Sequence, residues 1–385
     1  MATRDDHGIR AQRCLVFLVA IWLKSSLAQG RRDVSVKLAK APDGTVRTFK
    51  GDDGDVIDCV VFHKQPAFKH PRLHNHKIQM EPSSYPNGLR LSNQITNELM
   101  QPWHAKGECP AGTVPIKRPL SNSPKTKRRD RDRIDMINEV LNPHQYAVVH
   151  YPGFNGSIHG TSGTYSVWNP WVARGEDYSV AQMWVIAGTG DDLNTIEAGW
   201  HVNPELTGGY KTKFFTYWTS DHYELSGCYN LECPGFVQVS KVFAVGAALP
   251  VSTYQGPQVE RNITLDLDSE SENWWLYVEG NPIGYFPSEL FTNLCYGADR
   301  VDWGGQIYDS TGTLGTQTMT QMGSGHIASE GFGKASYISG LTIRTFDSTE
   351  LATSVLHKTV TAPSCYSLQQ SDDVVYFGGP GCPYG

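Results

Sequence analysis

Residues 194–219, NTIEAGWHVNPELTGGYKTKFFTYWT, contain two β-strand patterns separated by a turn rich in Pro and Gly. In the first pattern, apolar residues alternate with Glu197, Gly199 and His201. Because successive side chains of a strand point to opposite faces, these three residues are expected to share a face, while the apolar ones face a core. The second pattern, KFFTYWT, is aromatic and β-branched, as strands usually are.

Similar patterns recur through most of the second half of the chain, separated by Gly, Pro and Asn. They lie at 146–151, 163–169, 180–188, 236–240, 242–249, 262–268, 274–280, 301–308 and 334–344. Long helical periods are absent apart from the short stretch 132–142, DRIDMINEVLN. Regular spacing of short strands predicts an all-β protein, an antiparallel β-sandwich.

The charges divide the chain into two parts of opposite sign. Residues 29–143 hold 20 Lys and Arg against 13 Asp and Glu, whereas residues 144–385 hold 9 against 24. Such asymmetry favours two units that attract each other. Between them, residues 116–137 begin with the basic, Pro- and Ser-containing IKRPLSNSPKTKRRDRDR, which is typical of an exposed linker open to proteolysis. Export and the acidic larger part argue against a nucleic-acid partner.

The first residues resemble an export signal. Arg4, Arg10 and Arg13 precede the apolar run 14–23, CLVFLVAIWL, and the small-residue stretch SSLAQG follows. This order predicts a signal peptide, 1–28, cleaved after Ala28. The alternative is a membrane anchor, but ten residues are short of the ~20 that span a bilayer, and no later segment is long enough. We therefore expect a secreted protein (extracellular, cell wall or vacuole).

The cysteines and two glycosylation motifs agree with export. Of eight Cys, Cys14 leaves with the signal, so that seven remain. Proximity suggests the pairs Cys228–Cys233 and Cys365–Cys382, with Cys59–Cys109 as a plausible third pair and Cys295 as a buried free thiol. The acceptor motifs are Asn155-Gly-Ser and Asn262-Ile-Thr.

Four histidines crowd the first part of the chain, His63, His70, His74 and His76. They are either an ordinary polar stretch or a pH sensor in a removable segment. A metal site is a weaker interpretation because no Cys or acidic partner has suitable spacing, and we expect neither a metal nor a cofactor.

The common catalytic motifs are absent: there is no G-x-S-x-G, H-E-x-x-H or phosphate-binding Gly loop. What remains is Glu197 beside Gly199, and Gln306 beside a Gly pair in VDWGGQIYD. Glycine in a strand allows a substrate backbone to come close. The simpler interpretation is that Glu197 is a solvent-facing sheet residue.

Several unusual stretches resemble the neprosin family, a largely plant group of secreted glutamic peptidases. They include DCVVFHKQPAFKHPRLHNHKIQM, CPAGTVPIKR, NTIEAGWHVNPEL, FFTYWTSDHYELSGCYNLECPGFVQ, NWWLYVEGNPIGYFPSELF and TQMGSGHIASEGFGKASYI. The resemblance implies a pro-segment, 29–115, the processing linker 116–137, and a catalytic β-sandwich, 138–385, similar to that of the fungal acid glutamic peptidases. It also implies an intramolecular inhibitor in the pro-segment.

The family's chemistry uses two glutamates, in E-A-G-W and G-G-E stretches. Glu197 matches the first, whereas Gln306 replaces the second. Gln donates a hydrogen bond at any pH but transfers no proton. Because the fungal enzymes combine a Glu with a Gln, the resemblance predicts an acid-acting endopeptidase that cleaves after proline, with Glu197 as general base and Gln306 as oxyanion donor.

Two other interpretations remain. One is a catalytically silent protein that holds proline-rich peptides against Trp168, Trp200 or Trp218, since aromatic surfaces bind polyproline segments without chemistry. The other is a glycosidase, which needs two carboxylates, whereas the sequence offers one at the site.

Overall fold

The computed structural model describes residues 37–86, 99–124, 143–153, 156–311, 318–346, 349–352 and 356–382. They belong to one compact unit, Val36–Gly385. The predicted signal peptide, Asn155, the helix-like stretch 132–142 and most of the predicted linker lie outside the described residues. Within the described ranges, no helix is long and apolar enough to cross a membrane.

The fold is all-β, as predicted, and the paired strands run antiparallel. The only α-helix in the described ranges is the single turn α1, Pro204–Thr207. The strands are β1 Thr45–Lys50, β2 Val56–Val61, β3 Thr113–Lys117, β4 His144–Pro152, β5 Gly160–Ser166, β6 Tyr178–Ala187, β7 Asn194–Val202, β8 Lys213–Thr219, β9 Cys228–Tyr229, β10 Val237–Gln238, β11 Glu260–Leu267, β12 Trp274–Val278, β13 Asn281–Phe286, β14 Arg300–Tyr308, β15 Ser336–Arg344, β16 Thr349–Leu351, β17 His357–Val360, β18 Ser367–Ser371 and β19 Val374–Gly378.

Two large sheets form the predicted sandwich. One has the order β17-β4-β14-β6-β7-β8-β9, and the other has the order β10-β13-β12-β11-β5-β15-β19-β18, with β16 beside β15. Buried apolar side chains from both sheets, such as Ile196 and Ile338, belong to one core. The indole of Trp200 donates to the Ser166 carbonyl oxygen (2.9 Å), which fixes the sheets to each other.

The third sheet, β1-β2-β3, lies in the predicted pro-segment, and residues 37–86 and 99–124 pack on the sandwich through buried polar contacts. Gln65 and Gln238 exchange side-chain-to-backbone hydrogen bonds of 2.8 and 2.9 Å. Lys213, at the start of β8, forms a buried ion pair of 2.7 Å with Asp55. Ile116 and Lys117, the first residues of the predicted linker, are buried in β3.

The predicted strand 242–249 is wrong in its backbone. This segment is buried but irregular. Glutamine side chains bond its first part: Gln101 bonds both the N–H and the carbonyl of Ala244, and Gln238 donates to the carbonyl of Phe243. Its end pairs with backbone, in an isolated bridge between Ala248 and Lys213 at the start of β8. Buried backbone groups need partners, but a pair of glutamines satisfies them as well as a strand does.

The three disulfides that spacing suggested are confirmed: Cys59–Cys109, Cys228–Cys233 and Cys365–Cys382. Cys295 carries the free thiol among the described residues, but it is half-buried and not fully buried as expected. Asn262 lies within β11, half-buried, and its side chain donates to Thr164 (3.1 Å), while its glycosylation stays a prediction.

The four histidines divide into two pairs. His63 and His74 are exposed. His70 packs edge-on against Trp218, and His76 lies within hydrogen-bond distance of Tyr285 (2.8 Å) and Glu289 (3.0 Å) on the sandwich. No group of three metal-ligating side chains occurs in the described part of the chain. Two histidines of the pro-segment therefore belong to its contact with the sandwich.

Candidate functional site

The site lies on one face of the seven-stranded sheet, at its central strands β14, β6 and β7. Residues directly opposite each other in a sheet share a face. Glu197 on β7 lies opposite Trp184 on β6, which lies opposite Asp302 on β14. Two residues further along, Gly199, Gln182 and Gly304 lie opposite one another in the same way.

The two glycines beside Gln182 let neighbouring strands come close. Gly304 has φ +149°, and a Cβ there would run into the Ala147 carbonyl oxygen. At Gly199 a Cβ would run into the Ala181 carbonyl oxygen and lie 2.8 Å from the Cβ of Gln182. Either position therefore requires glycine.

Glu197 is completely buried, so it is not a solvent-facing sheet residue. Gln182 Nε2 donates to its Oε2 (2.9 Å), and the Tyr223 hydroxyl donates to its Oε1 (2.9 Å). The Thr195 hydroxyl lies 3.5 Å from Oε1. Aromatic and apolar side chains surround this group on the same face, including Trp184, Phe215 and Tyr217. Such an environment solvates a polar group poorly, so the donors take the place of water around this carboxyl group.

Tyr223 reaches Glu197 because of a tight turn after β8. Tyr223 has φ +63°, a conformation that non-glycine residues adopt rarely. Asp221 anchors the turn by accepting from the backbone N–H groups of Leu225 and Ser226 and from the Ser226 hydroxyl. Burial raises the pKa of Asp221, but these hydrogen bonds outweigh it and hold that pKa below its usual range. The charged turn thus fixes the phenol that bonds the carboxylate.

Gln306 is also buried on this face, within a different set of side chains. Its Nε2 lies 2.7 Å from His144 Nδ1, 3.3 Å from the Tyr178 hydroxyl and 3.5 Å from the Tyr146 hydroxyl. Because the amide nitrogen carries only donor hydrogens, His144 Nδ1 must be the acceptor in the shortest contact. Gln306 therefore acts as a donor in the observed structure.

The structure does not bring Glu197 and Gln306 into contact. Gln306 lies opposite Val180, which lies opposite His201, four residues from Glu197 on β7. Gln182 sits between the two predicted residues, one diagonal step from each. Diagonal neighbours in a sheet are about 7–8 Å apart, so the Cα atoms of Glu197 and Gln306 are separated by about 15 Å. A direct carboxylate–amide pair is formed by Glu197 with Gln182.

Asp302 is a second carboxyl group on the site face. Both of its oxygens accept from Arg300, at 2.8 and 2.7 Å. Burial raises the pKa of Asp302, and the attraction of Arg300 opposes the rise. The bidentate ion pair occupies the carboxyl group, so Asp302 does not supply the second free acid that a glycosidase requires.

The three tryptophans considered as a peptide-binding surface, Trp168, Trp200 and Trp218, are core residues with at most 5% exposure. The precursor therefore presents none of them as a binding surface, and Trp218 packs against His70 of the pro-segment. Trp184 is the tryptophan that lies beside Glu197 on the site face.

Sequence reasoning missed Gln182 and Tyr223. Gln182 had a weak signal, since it is the one polar residue in the strand pattern VAQMWVIAG, 180–188. Tyr223 had none, because its position depends on a turn with an unusual backbone conformation.

The family model described as Neprosin matches residues 175–380, and the model described as Neprosin activation peptide matches residues 48–150. Among solved structures, the chain is similar to "Scytalido-glutamic peptidase with a peptide based transition state analog" (8% identity, TM-score 0.34, 60% of this chain and 97% of that one). It is also similar to "SCP-B a member of the Eqolisin family of Peptidases" with the tripeptide Ala-Ile-His (9% identity, TM-score 0.32, 61% and 96%).

Proposed function

The chain belongs to the neprosin family, and from that premise we propose that it is a secreted endopeptidase of the glutamic type that cleaves peptides in acid. The observation that carries the proposal is Glu197, a buried carboxyl held by Gln182 and Tyr223 on the site face. A carboxylate with fixed orientation is suited to general-base catalysis.

The described chain is the precursor, and it includes residues matched by the activation-peptide model. Glu197 has no exposed surface in it, and Gln306 has almost none, so that a peptide does not reach them. We infer that the pro-segment acts as an intramolecular inhibitor and that its release opens the site face. The buried contacts at Gln65 and Asp55 support this inference, because they anchor the segment to the sandwich.

In the proposed reaction, Glu197 takes a proton from a water molecule, and the oxygen of that water attacks the peptide carbonyl carbon. An amide donor then stabilises the negative charge on the carbonyl oxygen. The proton passes from Glu197 to the leaving nitrogen as the C–N bond breaks. We assign the oxyanion contact to Gln306, with a substrate lying along the diagonal between the two residues. The proposal includes cleavage after proline, which the family resemblance implies.

The alternative is a silent peptide-binding protein. It is favoured by one observation: position 306 carries an amide, donating to His144, where the family pattern has a glutamate. An amide transfers no proton, and loss of one acid–base participant costs about 10²–10⁴ in rate.

One experiment separates the two functions. The wild type and Glu197→Gln are freed of the pro-segment in acid and incubated with a mixture of peptides with and without proline, and products are identified by mass spectrometry. We expect new C-termini at proline for the wild type and none for Glu197→Gln. Glu224→Gln, an exposed change on the neighbouring turn, is the matched control and should cleave like the wild type.

Peptide retention without cleavage by the wild type would support the silent protein. Equal cleavage by Glu197→Gln would remove Glu197 from the mechanism. Detection of the mature chain in the medium of expressing cells tests secretion.

A further inference from the structure

Gln182 occupies the centre of the site face. It lies opposite Gly199 on one side and Gly304 on the other, and it is diagonal to both Glu197 and Gln306. It is buried, and its amide nitrogen is 2.9 Å from the Glu197 carboxylate.

We propose that Gln182 is a positioning residue of the peptidase site, which donates to the Glu197 carboxyl group and aims it. This inference rests on the proposed function, since it concerns the same general base. A carboxylate in an aromatic pocket is poorly solvated, and it picks up a proton more readily unless donors replace water. Gln182 supplies such a donor at every pH, because an amide does not titrate in this range.

The position suits this contact. Gly199 lets its strand come close to that of Gln182, since a methyl group there would meet the Ala181 carbonyl oxygen and the Gln182 Cβ. Tyr223 holds the other carboxylate oxygen at the same distance, and the Thr195 hydroxyl lies 3.5 Å from that oxygen. With donors on both oxygens, the carboxyl plane is fixed, which a base needs if it is to meet a water molecule repeatedly in one geometry.

The neighbouring polar groups do not replace Gln182. Gln306 is engaged with His144 and lies two diagonal steps from Glu197, and Asp302 is engaged with Arg300. Removal of Gln182 therefore exposes Glu197 to the full effect of its aromatic surroundings on that side.

The test uses Gln182→Leu, which keeps the approximate size of the side chain and removes the donor. A hydrogen bond to a charged group corresponds to about a 10- to 100-fold effect. We expect kcat of the activated enzyme to fall by that factor with KM nearly unchanged, and the acid limb of the pH–rate profile to move up by about one pH unit. A variant with a pH profile superimposable on the wild type would overturn the inference.

Gln182→Glu gives a second, opposite signature. Two carboxyl groups in contact do not hold two charges easily, so they share one proton. This variant should be active only in more acidic solution than the wild type. Gln145→Leu is the control: Gln145 is a buried glutamine on β4 of the same sheet, facing away from the site, and it bonds Thr361. It should lose stability without a shift of the acid limb.

A readout without turnover separates this inference from the proposed function. Infrared difference spectra of the full-length protein, with Glu197→Gln as the reference that assigns the band, report protonation of Glu197 directly. In Gln182→Leu, the Glu197 carboxyl band should show protonation at a higher pH than in the wild type. If the wild type cleaves nothing yet this shift occurs, the proposed activity fails and the role of Gln182 stands; if the band does not move, the role of Gln182 fails.

Discussion

An amide at position 306 changes which steps this site performs. Gln306 has the length of a glutamate and keeps a donor toward His144 and the two tyrosines, so that the position remains polar and ordered. What it lacks is an acidic proton. In the proposed mechanism Glu197 must therefore both take the proton from water and return it to the leaving nitrogen, a division of work that is slower than one between two carboxyl groups.

Gln306→Glu tests this at the residue scale. The new carboxyl would meet hydroxyl donors at Tyr146 and Tyr178, and His144 if its Nδ1 carries a proton, so the pocket accepts either charge state. Because a second acid–base group contributes about 10²–10⁴, we expect kcat to rise at least tenfold in acid, measured on a proline-containing peptide. Unchanged or lower turnover would mean that the amide is the better partner for Glu197.

The two site residues named from the sequence are on the same face, but the partner that touches Glu197 was not foreseen. Alternation in a strand fixes which side chains share a face, and this was readable from NTIEAGWHV. Strand order and register decide which residues meet across the sheet, and β6 comes between β7 and β14. Nothing in a single sequence states that order, so the central place of Gln182 was hidden.

At the scale of elements, one buried ion pair attaches the pro-segment to the start of β8. Lys213 and Asp55 are both nearly inaccessible, and the second contact of Asp55 is the backbone N–H of Ala248. Burial lowers the pKa of Lys213, and Asp55 opposes that effect. The pair therefore depends on both partners being present, because a buried charge without its partner is costly.

Asp55→Ala should destabilise the full-length protein by about 3–5 kcal/mol, since it leaves Lys213 buried and unpaired. The measurement is urea unfolding followed by tryptophan fluorescence. Asp52→Ala provides the comparison: Asp52 is exposed and pairs with Lys106 at the surface (2.7 Å), an interaction worth at most about 1 kcal/mol. Similar losses of stability for the two variants would show that Lys213 becomes solvated or pairs with another group.

Element types were predictable where the pattern was long and alternating. β7 and β14 follow their predicted ranges to within one residue at the N-terminal end. The failure at 242–249 has a physical cause. One partner, Gln101, is distant in sequence, and a buried apolar run looks the same whether a strand or glutamine side chains satisfy its backbone.

At the scale of the whole molecule, the opposite net charges contribute less to the attachment of the pro-segment to the sandwich than the buried contacts do. Charges alone predicted attraction of a basic pro-segment to an acidic sandwich, but the buried pair Lys213–Asp55 has the reverse polarity, with the cation on the sandwich and the anion on the pro-segment. The apolar core, however, takes in Val60 and Leu73 of the pro-segment together with residues of both large sheets. Simple screening by salt is therefore not expected to release the segment, and a change of protonation in a buried contact is required.

His70 is a group in that contact whose protonation opposes docking. Burial against Trp218, with a smaller contribution from the charge of Arg72, lowers the pKa of His70 below its usual value. A released segment takes up a proton near pH 6.5, whereas the docked one does so only at lower pH. Docking thus loses free energy as the pH falls from about 6.5 through the lowered pKa. Burial also lowers the pKa of His104 in the pro-segment.

His70→Phe should therefore make the precursor resistant to acid, because the ring keeps its contact with Trp218 but does not titrate. Limited trypsin treatment cuts the basic residues 125–133, and gel filtration at pH 7.5, 6 and 5 then shows whether the segment remains bound. We expect release from the wild type between pH 6.5 and 5, and retention in His70→Phe over the same range. His74→Phe, at an exposed histidine four residues away, should behave like the wild type. Release of all three proteins at the same pH would assign the switch to other groups, such as His104 or the carboxyl groups of the sandwich, and His70 would then be only a packing residue.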